Sequence, residues 1–148
     1  MGLEVARQAV AAGAFGIDDV VLVAPKVDAW SPHVLRASVG MRFAMRCQTV
    51  ATPAAYLTAH PSHRVYSFSA SGDLELASVE FASPFALWFG PEWPGAGAPD
   101  GPPPGASVRI ASRPHVESLN LAVAVSLAAY AAGRSQGTMV GAAEATWE

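Results

Sequence analysis

Apolar runs of strand length alternate with helix starts along most of this chain, and that alternation constrains its fold more than any other feature. Asp18-Asp19 lead into Val20-Val21-Leu22-Val23-Ala24, an uninterrupted apolar run that suits a parallel strand covered on both faces. Ser31-Pro32 then marks a helix start, with Ser as N-cap and Pro in the first position, and the short helix through Ser38 stops near Gly40. Arg42 to Val50 alternates loosely as a strand would, Thr52-Pro53 opens a helix through His60, and Val65 to Ser69 follows as a strand. Pro84 to Phe89 is a stronger strand and Ser107 to Ala111 a short one. This order predicts an α/β fold, a mainly parallel sheet with helices on both faces.

The ends of the chain are helical in pattern. Leu3 to Ala14 is alanine-rich and closes on Gly13, a residue suited to a left-handed helix end. Leu119 to Arg134 is the longest helical segment, and its apolar residues leave almost no polar face. Such a helix must be covered on most sides, and in a single domain spanning 1–148 the expected extra cover is a second copy. Between these ends, residues 93–106 form a Pro/Gly-rich loop.

Several function classes are excluded or disfavoured by composition. No apolar run reaches the ~20 residues of a membrane helix. The lone Cys47 rules out an internal disulfide and any thiolate-rich zinc site, which points to the reducing cytoplasm. His60-Pro-Ser-His63 lacks a third ligand and reads as a pair of solvated loop histidines, so no metal is expected. A net charge of −3 argues against a chain wrapped in nucleic acid, but Arg36, Arg42, Arg46 and Arg64 share one stretch that can form a local basic face. Phosphate loops, dinucleotide fingerprints and nucleophile elbows are all missing from the sequence.

Three segments carry chemistry through their order. Arg7 is followed by Ala11-Ala12-Gly13-Ala14-Phe15-Gly16, and Ser31 to Gly40 contains Pro32, Arg36-Ala37-Ser38 and Gly40. Phe89-Gly90-Pro91-Glu92 takes a strand into a turn bearing a carboxylate. Val108-Arg109-Ile110 precedes Glu117-Ser118-Leu119-Asn120 at the head of the alanine-rich helix. Together they resemble the SpoU/TrmH branch of the SPOUT RNA ribose methyltransferases over nearly the whole chain. Where that family continues Gly-x-Gly-Leu after its carboxylate, this chain has Trp93-Pro94-Gly95-Ala96.

The resemblance implies S-adenosylmethionine as methyl donor, a ribose 2′-hydroxyl of tRNA or rRNA as acceptor, a homodimer, and a C-terminal trefoil knot. It implies catalytic roles for Arg7, Glu92 and Asn120, with donor contacts from Phe68, Gly90, Ile110, Ser118 and Leu119. Arg36, Arg42 and Arg46 are the expected RNA contacts. Taken singly, Arg7 is a solvated charge, Glu92 a loop carboxylate and Asn120 a helix cap; only their joint placement argues for more. Met1 and Leu3 stand where the family has Asn and Gly, so the first, central strand of the sheet is expected to be missing from this chain. The alternative reading is a non-catalytic, RNA-binding relic of the same fold.

Overall fold

A computed structural model describes residues 10, 12–25, 28, 30–39, 41–90, 102–116 and 118–137 of the chain. The strands are β1 (Asp19–Val23), β2 (Arg46–Val50), β3 (Arg64–Phe68), β4 (Leu74–Glu75), β5 (Phe85–Phe89) and β6 (Ala106–Arg109). The helices are α1 (Pro32–Ala37), α2 (Met41–Ala44), α3 (Pro53–Ala59) and α4 (Leu121–Ser135), with a 3-10 turn at Leu76–Ser78. The expected strand over Arg42 to Val50 is instead a short helix followed by β2. Leu74–Glu75 is a strand that no sequence pattern indicated.

Among the described residues all strand pairs are parallel, as the apolar runs imply. The single sheet expected from the sequence is, among the described residues, two sheets. One pairs β1 with β2, and the other runs β4-β6-β3-β5. Both lie against α4, whose Val125 joins Ala12 and Met45 in a cluster that gathers Val20 of β1 and Phe89 of β5. Further along the same helix, Ala132 packs with Tyr66, Phe81 and Val108. Ala128, Ala129 and Ala132 have no exposed surface, since side chains this small let the helix settle directly onto its neighbours.

Local signals explain the helix starts. Ser31 Oγ accepts from Val34 N at 3.4 Å and Thr52 Oγ1 from Ala55 N at 3.1 Å, each followed by proline in the first turn. At the far end of α4, the amide of Phe81 donates to Ser135 Oγ at 3.2 Å and Ser83 Oγ donates to Gln136 Oε1 at 2.6 Å. These bonds tie the segment before β5 to the helix.

Strand β6 comes late in sequence yet lies between β3 and β4, so the 69–73 connection arches past its end. Glycines make that insertion possible. A Cβ on Gly72 would lie 2.3 Å from the carbonyl carbon of Val108, and one on Gly105 would lie 2.2 Å from Val65 O. Each glycine lets one backbone rest directly on another.

Candidate active site

Parallel registry aligns Phe68 with both Phe89 and Val108, so β5, β3 and β6 end together. Phe68 and Phe89 stack there with centroids 4.7 Å apart and rings 11° from parallel. Gly90 and Ile110 follow immediately beyond β5 and β6, which groups three of the expected donor contacts on one rim. Such a rim, at the carboxyl ends of parallel strands, is where open α/β sheets bind ligands. A Cβ built on Gly90 meets no described atom within 4 Å, the reverse of Gly72 and Gly105.

The head of α4 reaches the same region, because Leu121 packs in the cluster that holds Phe89. Asn120 is its N-cap. Its Oδ1 accepts from Ala122 N at 3.0 Å and Val123 N at 3.3 Å, satisfying two amides that the helix itself leaves without acceptors. Ser118, exposed, and Leu119, half-buried, precede it.

A cleft of about 550 Å³ opens beside this helix start, lined by Val10, Ala14, Phe15, Ala37, Val39, Asn120, Ala122, Val123 and Ser126. It is where segments distant in sequence meet: the end of the first helical stretch, the Arg36-Ala37-Ser38 stretch, and the Ser118-Leu119-Asn120 helix start. Ser38 is fully buried and its Oγ donates to Leu35 O at 2.9 Å, which closes α1 tightly. Val39 then takes φ +50°, a left-handed conformation that is costly for a β-branched residue, and stands 83% exposed at the cleft.

Of the other expected site residues, Arg7 and Glu92 lie outside the described residues. Arg36 is exposed on the last turn of α1, while Arg42 falls within α2. Arg46 is held by Asp19 through two hydrogen bonds of 2.7 and 2.6 Å. The bonded guanidinium keeps the Asp19 carboxyl below its ordinary value of 3.8. Sequence reasoning missed the aromatic stack of Phe68 on Phe89 and the cleft role of Val39. The first could have been sought in the register of two Phe-ended strands; the second follows from a backbone angle that no residue type announces.

The model of the SpoU rRNA methylase family matches residues 5–130. This chain belongs to that family. A tRNA/rRNA methyltransferase of Synechocystis sp., itself uncharacterised, is 32% identical over 127 residues, which is 84% of this chain and 46% of the relative. The SpoU-family chain thus spans about half the length of that curated relative. Among solved structures, the SpoU methyltransferase AviRb of Streptomyces viridochromogenes, in complex with AdoMet, superposes with a TM-score of 0.79 at 20% identity. That match covers 94% of this chain and 58% of AviRb, and it speaks to the fold. A structure described for 2-OH methylation of C/U34 on tRNA is 30% identical, with a TM-score of 0.73 and coverage of 92% and 91%.

Asn120→Ala is expected to lower stability by about 1 kcal/mol, the usual worth of an N-cap, while Asn120→Ser restores most of it. Thermal melts of both variants check this. If both show the wild-type midpoint, the cap contributes nothing to the helix start.

Proposed function

We propose that this chain transfers a methyl group from S-adenosylmethionine to a ribose 2′-hydroxyl of tRNA or rRNA, as a homodimer in the cytoplasm. The observation that carries the reading is that Phe68, Gly90 and Ile110 come together past the aligned ends of β3, β5 and β6, with the Asn120-capped start of α4 packed beside them through Leu121. The AdoMet complex of AviRb and the C/U34 tRNA methylation structure agree with it.

The rim fits the donor by its own geometry. Backbone groups past three strand ends, with open space where Gly90 would carry a Cβ, can take an adenosyl group through N–H and C=O contacts and few dedicated side chains. Phe68, Gly90, Ile110, Ser118 and Leu119 would hold it. The donor supplies an electrophilic methyl carbon on a sulfonium. Asn120 keeps Ser118 and Leu119 in place by fixing the helix start. By family resemblance Arg7 lies near the acceptor hydroxyl, where its fixed positive charge favours the developing alkoxide, and Glu92 shapes the pocket. Arg36, Arg42 and Arg46 contact the RNA backbone.

The knot belongs to the same reading through the family resemblance alone. The homodimer is supported by Val123, Leu127 and Tyr130, which fall at helical spacing on α4 and are 47%, 41% and 44% exposed.

Titration calorimetry with S-adenosylmethionine, followed by transfer of labelled methyl to tRNA and rRNA and nucleoside analysis, tests the function. Heat of binding and label recovered in 2′-O-methyl nucleosides are expected. A folded chain that gives neither is the non-catalytic relic instead, and label recovered on a base overturns the ribose assignment. Light scattering that returns a monomer mass at tens of micromolar would remove the dimer.

A further inference from the structure

A second cavity, of about 460 Å³, lies away from the donor rim and is lined by Asp19, Arg46, Cys47, Gln48, Tyr56, His60 and His63. Asp19 and Arg46 open β1 and β2, and His63 immediately precedes β3. Five steps along the strand lead from His63 to Phe68, so the two sites stand about 16 Å apart along β3.

The histidines expected to be solvated are half-buried and stacked. His60 and His63 lie 4.8 Å apart at 22°, and Tyr56 leans on His60 at 4.7 Å. Tyr56 Oη lies 2.7 Å from His63 Nδ1, a bond that fixes the ring pair to α3. Burial, and then the neighbouring His60, push the His63 pKa below its ordinary 6.5, which favours the neutral ring.

The lining selects among ligand classes. The Asp19 carboxylate offsets the charge of Arg46, so the pair presents no net positive charge that would select a bare phosphate. Among the described residues no three His, Cys, Asp or Glu side chains come together as metal ligands. An apolar chain would desolvate Gln48, Arg46 and Asp19 without replacing their hydrogen bonds. What remains is a flat, uncharged, polar ring, able to lie against imidazole and phenol faces and to meet an amide and a carboxylate at its edge. Nucleobases have those properties, and RNA-binding proteins take unpaired bases in this way. Of the five N–H donors of Arg46, two are used by Asp19, which leaves others for the attached sugar-phosphate.

We infer that the Tyr56–His60–His63 cavity is a docking site for an unpaired nucleobase of the RNA substrate, at the opposite end of β3 from the transfer site. The source of the base rests on the methyltransferase reading above; affinity for a free nucleotide does not.

The imidazole C–H proton signals of the full chain, assigned with His60→Gln and His63→Gln, report on the cavity directly. Adenosine 5′-monophosphate at millimolar concentration is expected to move the His60 and His63 signals saturably, while ribose 5-phosphate leaves them in place. His60→Ala is expected to weaken the nucleotide by about fivefold or more, and to raise KM for RNA rather than lower kcat. No movement with the nucleotide overturns the site, and equal movement with ribose 5-phosphate makes it a phosphate site instead. If nucleotide binds but no RNA is methylated, the transfer reading has failed and the cavity stands. If RNA is methylated with these signals unmoved, the cavity has failed alone. Tyr56→Leu provides a second variant should His60→Ala not fold.

Discussion

Gly72→Ala is expected to destabilise the chain by about 3 kcal/mol or more, the upper range for forcing atoms into a packed interior. The new methyl carbon would lie 2.3 Å from the carbonyl carbon of Val108, 2.5 Å from Arg109 N and 2.6 Å from Val108 O. All three are backbone atoms of β6, which is held by β3 on one side and β4 on the other, so no side-chain rotation relieves the clash. Moving β6 would disturb Val108, which has no exposed surface, and the hydrogen bonds from Arg109 Nη1 to the carbonyls of Gly72 and Asp73 at 2.9 and 3.1 Å. Against a total of ~5–15 kcal/mol the loss is large, and the melting temperature should fall by about 6–12 °C. Differential scanning calorimetry of Gly72→Ala beside Gly90→Ala gives the answer, since the second methyl meets no described atom. Equal midpoints for the two would mean that β6 is not seated on Gly72.

Much of the secondary structure was legible because it is written in local chemistry. Val20 to Val23 forms a strand because a run of apolar, β-branched residues has no polar face to show water. Ser31 and Thr52 start helices because their oxygens accept amide hydrogens that the first turn leaves over. Met41 to Ala44 escaped because one turn of apolar residues has no period long enough to separate helix from strand. Leu74–Glu75 escaped for the same reason, since two residues carry no alternation.

Pairing is another matter. A strand's residues show that it is buried, not which strand lies beside it, so one sheet was expected where the described residues form two. The insertion of β6 between β3 and β4 depends on contacts more than thirty residues apart in sequence, as between Gly72 and Val108. The site divides the same way. Asn120 could be read as a cap, and the family resemblance marked it as more, but nothing in the Arg36-Ala37-Ser38 stretch shows that it faces that cap across a cleft. His60 and His63 looked solvated because Pro61 and Ser62 signal a turn. Their stacking on Tyr56 is a tertiary fact.

Gly90→Val is the sharper test of the donor rim, because fold and binding should respond oppositely. Gly90 follows β5 directly, with backbone angles outside the left-handed region, and a Cβ there meets nothing described within 4 Å. A valine can therefore be accommodated, and the melting temperature should stay within about 2 °C of the parent, since a surface change away from packed neighbours costs about 0.5 kcal/mol or less. The isopropyl group would instead occupy the open space past the end of β5, where the proposed adenosyl group comes against backbone. Donor affinity is expected to fall by about a hundredfold, equivalent to ~2.7 kcal/mol, and transfer to fall with it at limiting donor. Calorimetric titration paired with a melt separates the outcomes. Lost affinity with an unchanged melt places the donor at this rim. Unchanged affinity moves the donor elsewhere, and a collapsed melt shows that Gly90 serves the fold as Gly72 does.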